Sequence, residues 1–305
     1  MNSTSNIQNP KSILVIGKNG QLGQSLQKLV IQNSAINTQR SFTFVGREEL
    51  DLSNPESIEA YFENDEYDVI INCAAYTAVD KAECEPELAD QVNHLAVKQL
   101  AKIAKQKDVI LIHISTDYVF NGQNYQPYIE TDETKPQSVY GATKLKGEQA
   151  IKTINPKGCI IRTSWLYSEF GNNFVKTILR LGKEKEQFGI IFDQIGTPTY
   201  AGDLAKTILQ LLTTRHSLLT KKNEIFHFSN EGVCSWYDFA KSIFELNDID
   251  CNVNPIETKD YLTPARRPHY SLMNKAKIKQ AYNLEIPYWK DSLKVCLDKI
   301  ENKKK

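Results

Sequence analysis

Ser12-Ile13-Leu14-Val15-Ile16-Gly17 is a continuous apolar run rather than an alternating one, the pattern of a strand buried on both faces of a parallel sheet. Helical spacing follows from about Gln21 to Val30. Further apolar runs at 41–45, 67–73, 109–115, 158–167 and 224–229 predict strands. Amphipathic stretches at 55–63, 78–83, 87–107 and from Tyr140 predict helices between them. Strand and helix alternate throughout 12–165, which predicts a parallel sheet with right-handed crossovers. Beyond it, 172–182, 200–212 and 289–300 read as helices and 189–199 as a strand and turn. The texture changes near 230, where Ser235 caps a new amphipathic helix and Thr263-Pro264-Ala265-Arg266-Arg267-Pro268 is too stiff for one.

The loop after the first strand is Gly17-Lys18-Asn19-Gly20-Gln21-Leu22-Gly23. A glycine loop between strand and helix cradles a dinucleotide: the backbone approaches the pyrophosphate and the helix N-terminus faces its charge. The spacing is G-x-x-G-x-x-G, and a plain glycine turn is the alternative. The second strand ends in Gly46-Arg47-Glu48-Glu49. Arg47 suits the 2′-phosphate of NADPH, whereas Glu48 or Glu49 suits the ribose hydroxyls of NADH, so both cofactors stay open. Asp51 is placed for an adenine ring or for helix entry. The small side chains of Ala74 and Ala75 let a flat cofactor lie against backbone. The fold class expected is α/β, a Rossmann-type doubly wound parallel sheet with a smaller α/β substrate-binding domain.

The stretch that carries chemistry is 112–148. Ser115, Thr116 and Asp117 sit where a buried strand meets its loop. Tyr140 and Lys144 then share one helix face, at spacing i and i+4. An ammonium beside a phenol favours the phenolate, so the sequence predicts a Tyr140 with lowered pKa that works as a proton donor or acceptor, with Thr116 or Ser115 bonding the same reacting oxygen. Trp165 leaves the C-terminal end of a sheet strand and suits either stacking on a ligand or core packing. Arg266 and Arg267 suit a diphosphate, or form a charged loop.

Composition narrows the class. Lys and Arg together number 37, matched by 37 Asp and Glu, so nothing favours nucleic acid or an anionic membrane. Six scattered cysteines lack C-x-x-C pairs and five dispersed histidines lack H-x-x-x-H spacing, which points to a reducing compartment and no metal site. The polar first ten residues do not read as a signal peptide, and no apolar run approaches the roughly 18 residues of a membrane helix. A cytoplasmic protein is expected.

Together the glycine loop, Asn72-Cys73-Ala74-Ala75-Tyr76-Thr77-Ala78-Val79-Asp80-Lys81-Ala82-Glu83, Ser115-Thr116-Asp117-Tyr118-Val119-Phe120, Tyr140-Gly141-Ala142-Thr143-Lys144, Arg162-Thr163-Ser164-Trp165, Gly171-Asn172-Asn173-Phe174, Asp193-Gln194-Ile195-Gly196-Thr197-Pro198-Thr199 and Thr263 to Pro268 carry a resemblance. Over about Ser12 to Leu297 the chain resembles the dTDP-4-dehydrorhamnose reductase family of the extended short-chain dehydrogenase/reductases. The resemblance implies NAD(P)H-dependent reduction of the C4 ketone of dTDP-4-dehydro-L-rhamnose, in polysaccharide biosynthesis. It implies catalytic Thr116, Tyr140 and Lys144. It places Gly17, Gly20, Gln21 and Leu22 at the pyrophosphate loop, Arg47, Asp51 and Leu52 toward the adenosine, and Ala75, Tyr76, Thr77, Tyr140 and Lys144 toward the ribose and nicotinamide. Thr116, Asp117 and Trp165 would touch the deoxysugar, and Arg267 the diphosphate. The expected division is 11–165 with 187–229 for the cofactor, 166–186 with 230–300 for the nucleotide sugar, and flexible ends at 1–10 and 301–305. Some members bridge a dimer with magnesium held by glutamates, one just after the glycine loop. Ser25 stands there, so no metal is expected and a homodimer stays open. The rival readings are a reductase or epimerase for another deoxy-ketosugar, and a non-catalytic NADP-binding regulatory subunit.

Overall fold

The computed structural model describes residues 11–33, 40–64, 66–214, 216–220 and 223–302. The ends expected to be flexible at 1–10 and 303–305 lie outside the described residues, while Glu301 and Asn302 continue the last helix.

The first half alternates as its apolar runs require. It runs β1 (Ser12–Ile16), α1 (Gln21–Gln32), β2 (Ser41–Val45), α2 (Pro55–Asn64), β3 (Val69–Asn72), α3 (Val79–Ala82), α4 (Pro86–Asp90), α5 (Ala96–Gln106), β4 (Ile110–Thr116), α6 (Val139–Ile154) and β5 (Gly158–Thr163). Among the described residues a six-stranded sheet has the order β10-β5-β4-β3-β1-β2, with β10 at Glu224–His227 and every pairing parallel. Helices cover both faces, so β1, β3, β4 and β5 are buried almost throughout, which explains their lack of alternation. The chain leaves β1 for β2 on one side and returns to β3 on the other. Such a switch point opens a crevice at the carboxyl ends of β1 and β3.

Gly17 turns the chain there, with φ of 93°. A Cβ at this position would lie 2.9 Å from the Ala74 nitrogen, so only glycine lets the loops after β1 and β3 approach so closely.

The second half adds β6 (Leu166–Tyr167), α7 (Phe174–Glu184), β7 (Gln187–Ile191), β8 (Ile195–Gly196), β9 (Thr199–Tyr200), α8 (Ala201–Thr214), β11 (Cys234–Ser235), α9 (Trp236–Glu245), β12 (Asn252–Ile256), α10 (Ala276–Tyr282) and α11 (Trp289–Asn302). Helix α8 returns to the main sheet, where Leu204, Ile208 and Leu212 join the core under α1. A separate apolar cluster joins Tyr167, Val175, Phe239, Val253, Trp289 and Leu293.

Three expected elements differ. The helical run at 87–107 is interrupted by a π turn at Gln91–Leu95, within which Asn93 is fully buried. The helix expected from 172 begins at Phe174, because the Asn173 side chain caps it by accepting from Lys176 N. The run at 158–167 splits into β5 and β6 around Trp165, which has φ of 48°.

Candidate active site

The crevice is a cleft of about 700 Å³, opened by the topology and walled by three loops. Gly17, Gly20, Gln21 and Leu22 form one wall at the N-terminus of α1; Ala75 and Thr77, after β3, form a second. Thr116, Asp117, Tyr140, Lys144 and Trp165 complete it. A second hollow of about 240 Å³ adjoins it, lined by Arg47, Leu50, Asp51, Leu52, Ala75 and Tyr76. One polar cleft beside one largely apolar hollow suits a dinucleotide, with its charged and reacting parts in the first and its adenine in the second. The glycine approach at Gly17, which a Cβ would fill, fits the same group.

Helix α6 delivers Tyr140 and Lys144. Ser138 caps it, its hydroxyl accepting from Gly141 N at 3.2 Å. A Cβ on Gly141 would lie 2.3 Å from Tyr118 O, so glycine lets the helix start pack directly on the turn after β4. The Tyr140 ring then meets Tyr118 edge to face, with centroids 5.5 Å apart. Thr116 donates to Asp117 Oδ1 at 2.9 Å and accepts from Tyr118 N at 3.2 Å, which fixes its hydroxyl at the strand end.

The electrostatics correct one expectation. Tyr140 is not lowered: burial pushes its phenol up to about 12, the Asp117 carboxylate adds to that, and the Thr116 hydroxyl only partly opposes it. Lys144 is turned instead to the strand beneath, with Nζ 2.7 Å from Ile114 O and 3.2 Å from His113 Nε2. Burial brings Lys144 down to about 8. Burial likewise raises Asp117 to about 6, against the opposing pull of the Thr116 and Ser271 hydroxyls.

Other expected residues are placed differently from one another. Tyr76 lines the smaller hollow; its hydroxyl donates to Glu85 at 2.5 Å, and Asn93 holds both its backbone N–H and its carbonyl. Gln21 sits at the glycine loop, but its amide is spent on the 166–173 segment, accepting from Ser168 and Asn173 and donating to Leu166 O. Glu49 turns to Lys18 and Gly46 N, and Arg47 to Asp51 and Ser53. Trp165 lines the cleft and also stacks on Trp236, with centroids 3.7 Å apart. Arg267 is not in the cleft wall; it pairs with Asp80.

Sequence reasoning missed Asn72, Asn93 and His113. His113 is a fully buried histidine inside a continuous apolar strand, and that break in the pattern was its signal. Asn93 shares the helix face of Ala89, Val97 and Leu100, all buried, and a polar residue on that apolar face was its signal. Among the described residues no group of three or more His, Cys, Asp or Glu is disposed to hold a metal ion, and no helix is long and apolar enough to cross a membrane.

Comparison with known proteins gives the family. The family described as RmlD substrate binding domain matches residues 11–302. A dTDP-4-dehydrorhamnose reductase of Aggregatibacter actinomycetemcomitans is 41% identical over 289 residues, covering 92% of this chain and 97% of that one. The crystal structure of a Clostridium acetobutylicum dTDP-4-dehydrorhamnose reductase superposes with a TM-score of 0.88 at 40% identity, over 95% of this chain and 99% of that one. The Bacillus anthracis dTDP-4-dehydrorhamnose reductase, solved in complex with NADP, gives 0.87 at 37% identity, over 95% and 99%. A glycine-turned crevice holding Thr116, Tyr140 and Lys144, on a chain matched from end to end in this way, leads to one conclusion: the chain belongs to the dTDP-4-dehydrorhamnose reductase family.

Proposed function

We propose that this protein reduces the C4 ketone of dTDP-4-dehydro-L-rhamnose to dTDP-L-rhamnose, with Tyr140 as proton donor. The observation that carries the reading is the convergence of Thr116, Tyr140 and Lys144 on the cleft that the glycine loop opens. A reduced nicotinamide supplies the hydride when bound. The chain's own residues do the rest. The Tyr140 hydroxyl gives its proton to the developing alkoxide, which a phenol held near 12 does readily because an alkoxide is far more basic. The Thr116 hydroxyl, whose single proton goes to Asp117 Oδ1 in the ligand-free protein, turns that proton to the same oxygen. Lys144 holds the nicotinamide ribose and, as an ammonium, stabilises the phenolate left behind.

Gly20, Gln21 and Leu22 hold the pyrophosphate, and Leu52 packs on the adenine. NADPH is the preferred cofactor: Arg47 is mostly exposed at the rim of the adenosine hollow, bonded only through Asp51 and Ser53, and can turn to a 2′-phosphate. Asp117 and Trp165 contact the deoxysugar, and Arg267 its diphosphate. The second apolar cluster draws on 167–179 and 234–300 but also on Tyr200, with Phe188 and Ile190 of the strand that pairs with β12 packed against it, so part of 187–229 joins the sugar-nucleotide side rather than the cofactor side.

The test follows loss of reduced-nicotinamide absorbance with dTDP-4-dehydro-L-rhamnose, for NADPH and NADH, beside Tyr140→Phe. Turnover that falls at least about a hundredfold in the variant, with cofactor binding intact, is expected. A wild-type protein that binds cofactor and reduces nothing would overturn the assignment.

A further inference from the structure

A chain of hydrogen bonds runs beneath the cleft, and its directions are fixed from one end. Ala74 N donates to Asn72 Oδ1 at 3.1 Å. A backbone N–H only donates, so the Asn72 carbonyl must face it and the amide nitrogen must face the other way. That nitrogen lies 3.2 Å from His113 Nδ1. It carries donors only, so Nδ1 accepts and the ring's single proton sits on Nε2. The ring is neutral, because full burial pushes His113 well below its ordinary value. Nε2 in turn lies 3.2 Å from Lys144 Nζ, which donates to Ile114 O at 2.7 Å.

The last link decides the lysine. An ammonium has three donors and no acceptor, and would face the Nε2–H with a like dipole. An amine has a lone pair for that proton and still donates to Ile114 O. We propose that His113 is a positioning residue which, presented by Asn72 as the Nε2–H tautomer, holds Lys144 as a neutral amine in the ligand-free protein, so that Lys144 takes up a proton from solvent when the dinucleotide binds. The inference rests on the reductase reading for the ligand, not for the tautomer.

The surroundings are compatible. Burial already brings Lys144 to about 8, and the Nε2–H bond favours the amine further. Glu148, one turn along α6, pulls the other way, but Arg162 of β5 holds it in a fork with Nε 2.9 Å from Oε1 and Nη2 2.6 Å from Oε2. Tyr140, one turn earlier on the same face of α6, and Asp117 line the cleft beside Lys144, and Cys73 lines it as a thiol raised to about 12. The arriving pyrophosphate adds negative charge and the ribose adds oxygen acceptors. Both favour the ammonium, which then turns from Nε2–H toward the cleft.

Two measurements test this on the whole protein. Long-range proton–nitrogen correlation with 15N-histidine reports each ring's tautomer, with His113 assigned by its loss in His113→Gln. The expected result is Nε2–H from about pH 7 to about pH 9. Calorimetry of NADPH binding in buffers of different ionisation heats counts protons. The expected uptake approaches about one at about pH 9 and shrinks toward about pH 7, as Lys144 in the free protein becomes protonated anyway. An Nδ1–H tautomer, or no uptake at about pH 9, overturns the proposal. Asn72→Asp gives an independent check: its carboxylate accepts from Nδ1–H, reverses the ring and cuts the uptake several-fold. Retained uptake in a folded variant also overturns it. Failure of NADPH to bind at all sinks the reductase reading instead, and the tautomer spectrum still decides this one.

Discussion

The Arg267 guanidinium meets the Asp80 carboxylate as a two-pronged pair, with Nη1 3.0 Å from Oδ1 and Nη2 2.8 Å from Oδ2. Asp80 also accepts from Ala265 N at 3.2 Å, so one carboxylate on α3 holds both the arginine and the proline-bounded segment that carries it. The pair holds the Asp80 carboxyl below its ordinary range, against a smaller opposing pull from burial.

A diphosphate that reaches Arg267 competes with Asp80 for the same fork. Arg267→Ala is expected to raise KM for the dTDP-sugar about tenfold with little change in kcat, the signature of lost uniform binding. Arg267→Lys keeps the charge but not the fork and recovers only part. Steady-state kinetics at saturating cofactor separates the two; a drop in kcat alone would refute the binding role.

We propose Arg47 as the contact that separates the two nicotinamide cofactors. Its partners Asp51 and Ser53 lie at the hollow's rim, and both bonds are 3.2 Å long. Arg47→Ala is expected to weaken NADPH binding about tenfold while leaving NADH nearly unchanged. Titration of nicotinamide fluorescence measures both affinities.

Asp117 makes the site costly near neutral pH. Its folded pKa of about 6 lies above the ordinary 3.8, so between those values the folded protein holds a proton that the unfolded chain has released. The carboxyl is therefore tolerated at low pH, and stability is lost as pH rises through about 6. Asp117→Asn removes that cost and is expected to stabilise the protein by about 1–3 kcal/mol at neutral pH, with the gain gone below the ordinary carboxylate pKa. Urea unfolding at acid and neutral pH tests this, alongside a turnover assay that should show activity falling as stability rises.

Arg162 and Glu148 form a buried pair behind the site, each side chain about 1% exposed. Arg162 also lies over the Phe120 ring, 5.0 Å from its centroid. Glu148→Gln leaves the guanidinium without its counter-charge and is expected to cost about 3–5 kcal/mol. Chemical denaturation measures it; a loss under about 1 kcal/mol would mean that water or another group replaces the carboxylate.

The sequence by itself determined the sheet and much, though not all, of the cleft's lining. Continuous apolar runs at β1, β3, β4 and β5 read as strands covered on both faces, which is what they are, and glycines after the first strand pointed to a dinucleotide loop at its end. Thr116, Tyr140 and Lys144 were legible because a strand end and an i,i+4 helix face are local facts. Which way each charge points was not local. Lys144 turns to His113 and Ile114 O rather than to the phenol because β4 runs directly beneath α6, a neighbour that helix spacing cannot show. Asn93 meets the Tyr76 backbone across 17 residues, and Arg267 finds Asp80 across 187 residues of chain. Burial then sets the protonation of Tyr140, Lys144 and Asp117, because desolvation depends on every element packed around a group and on no single stretch of sequence.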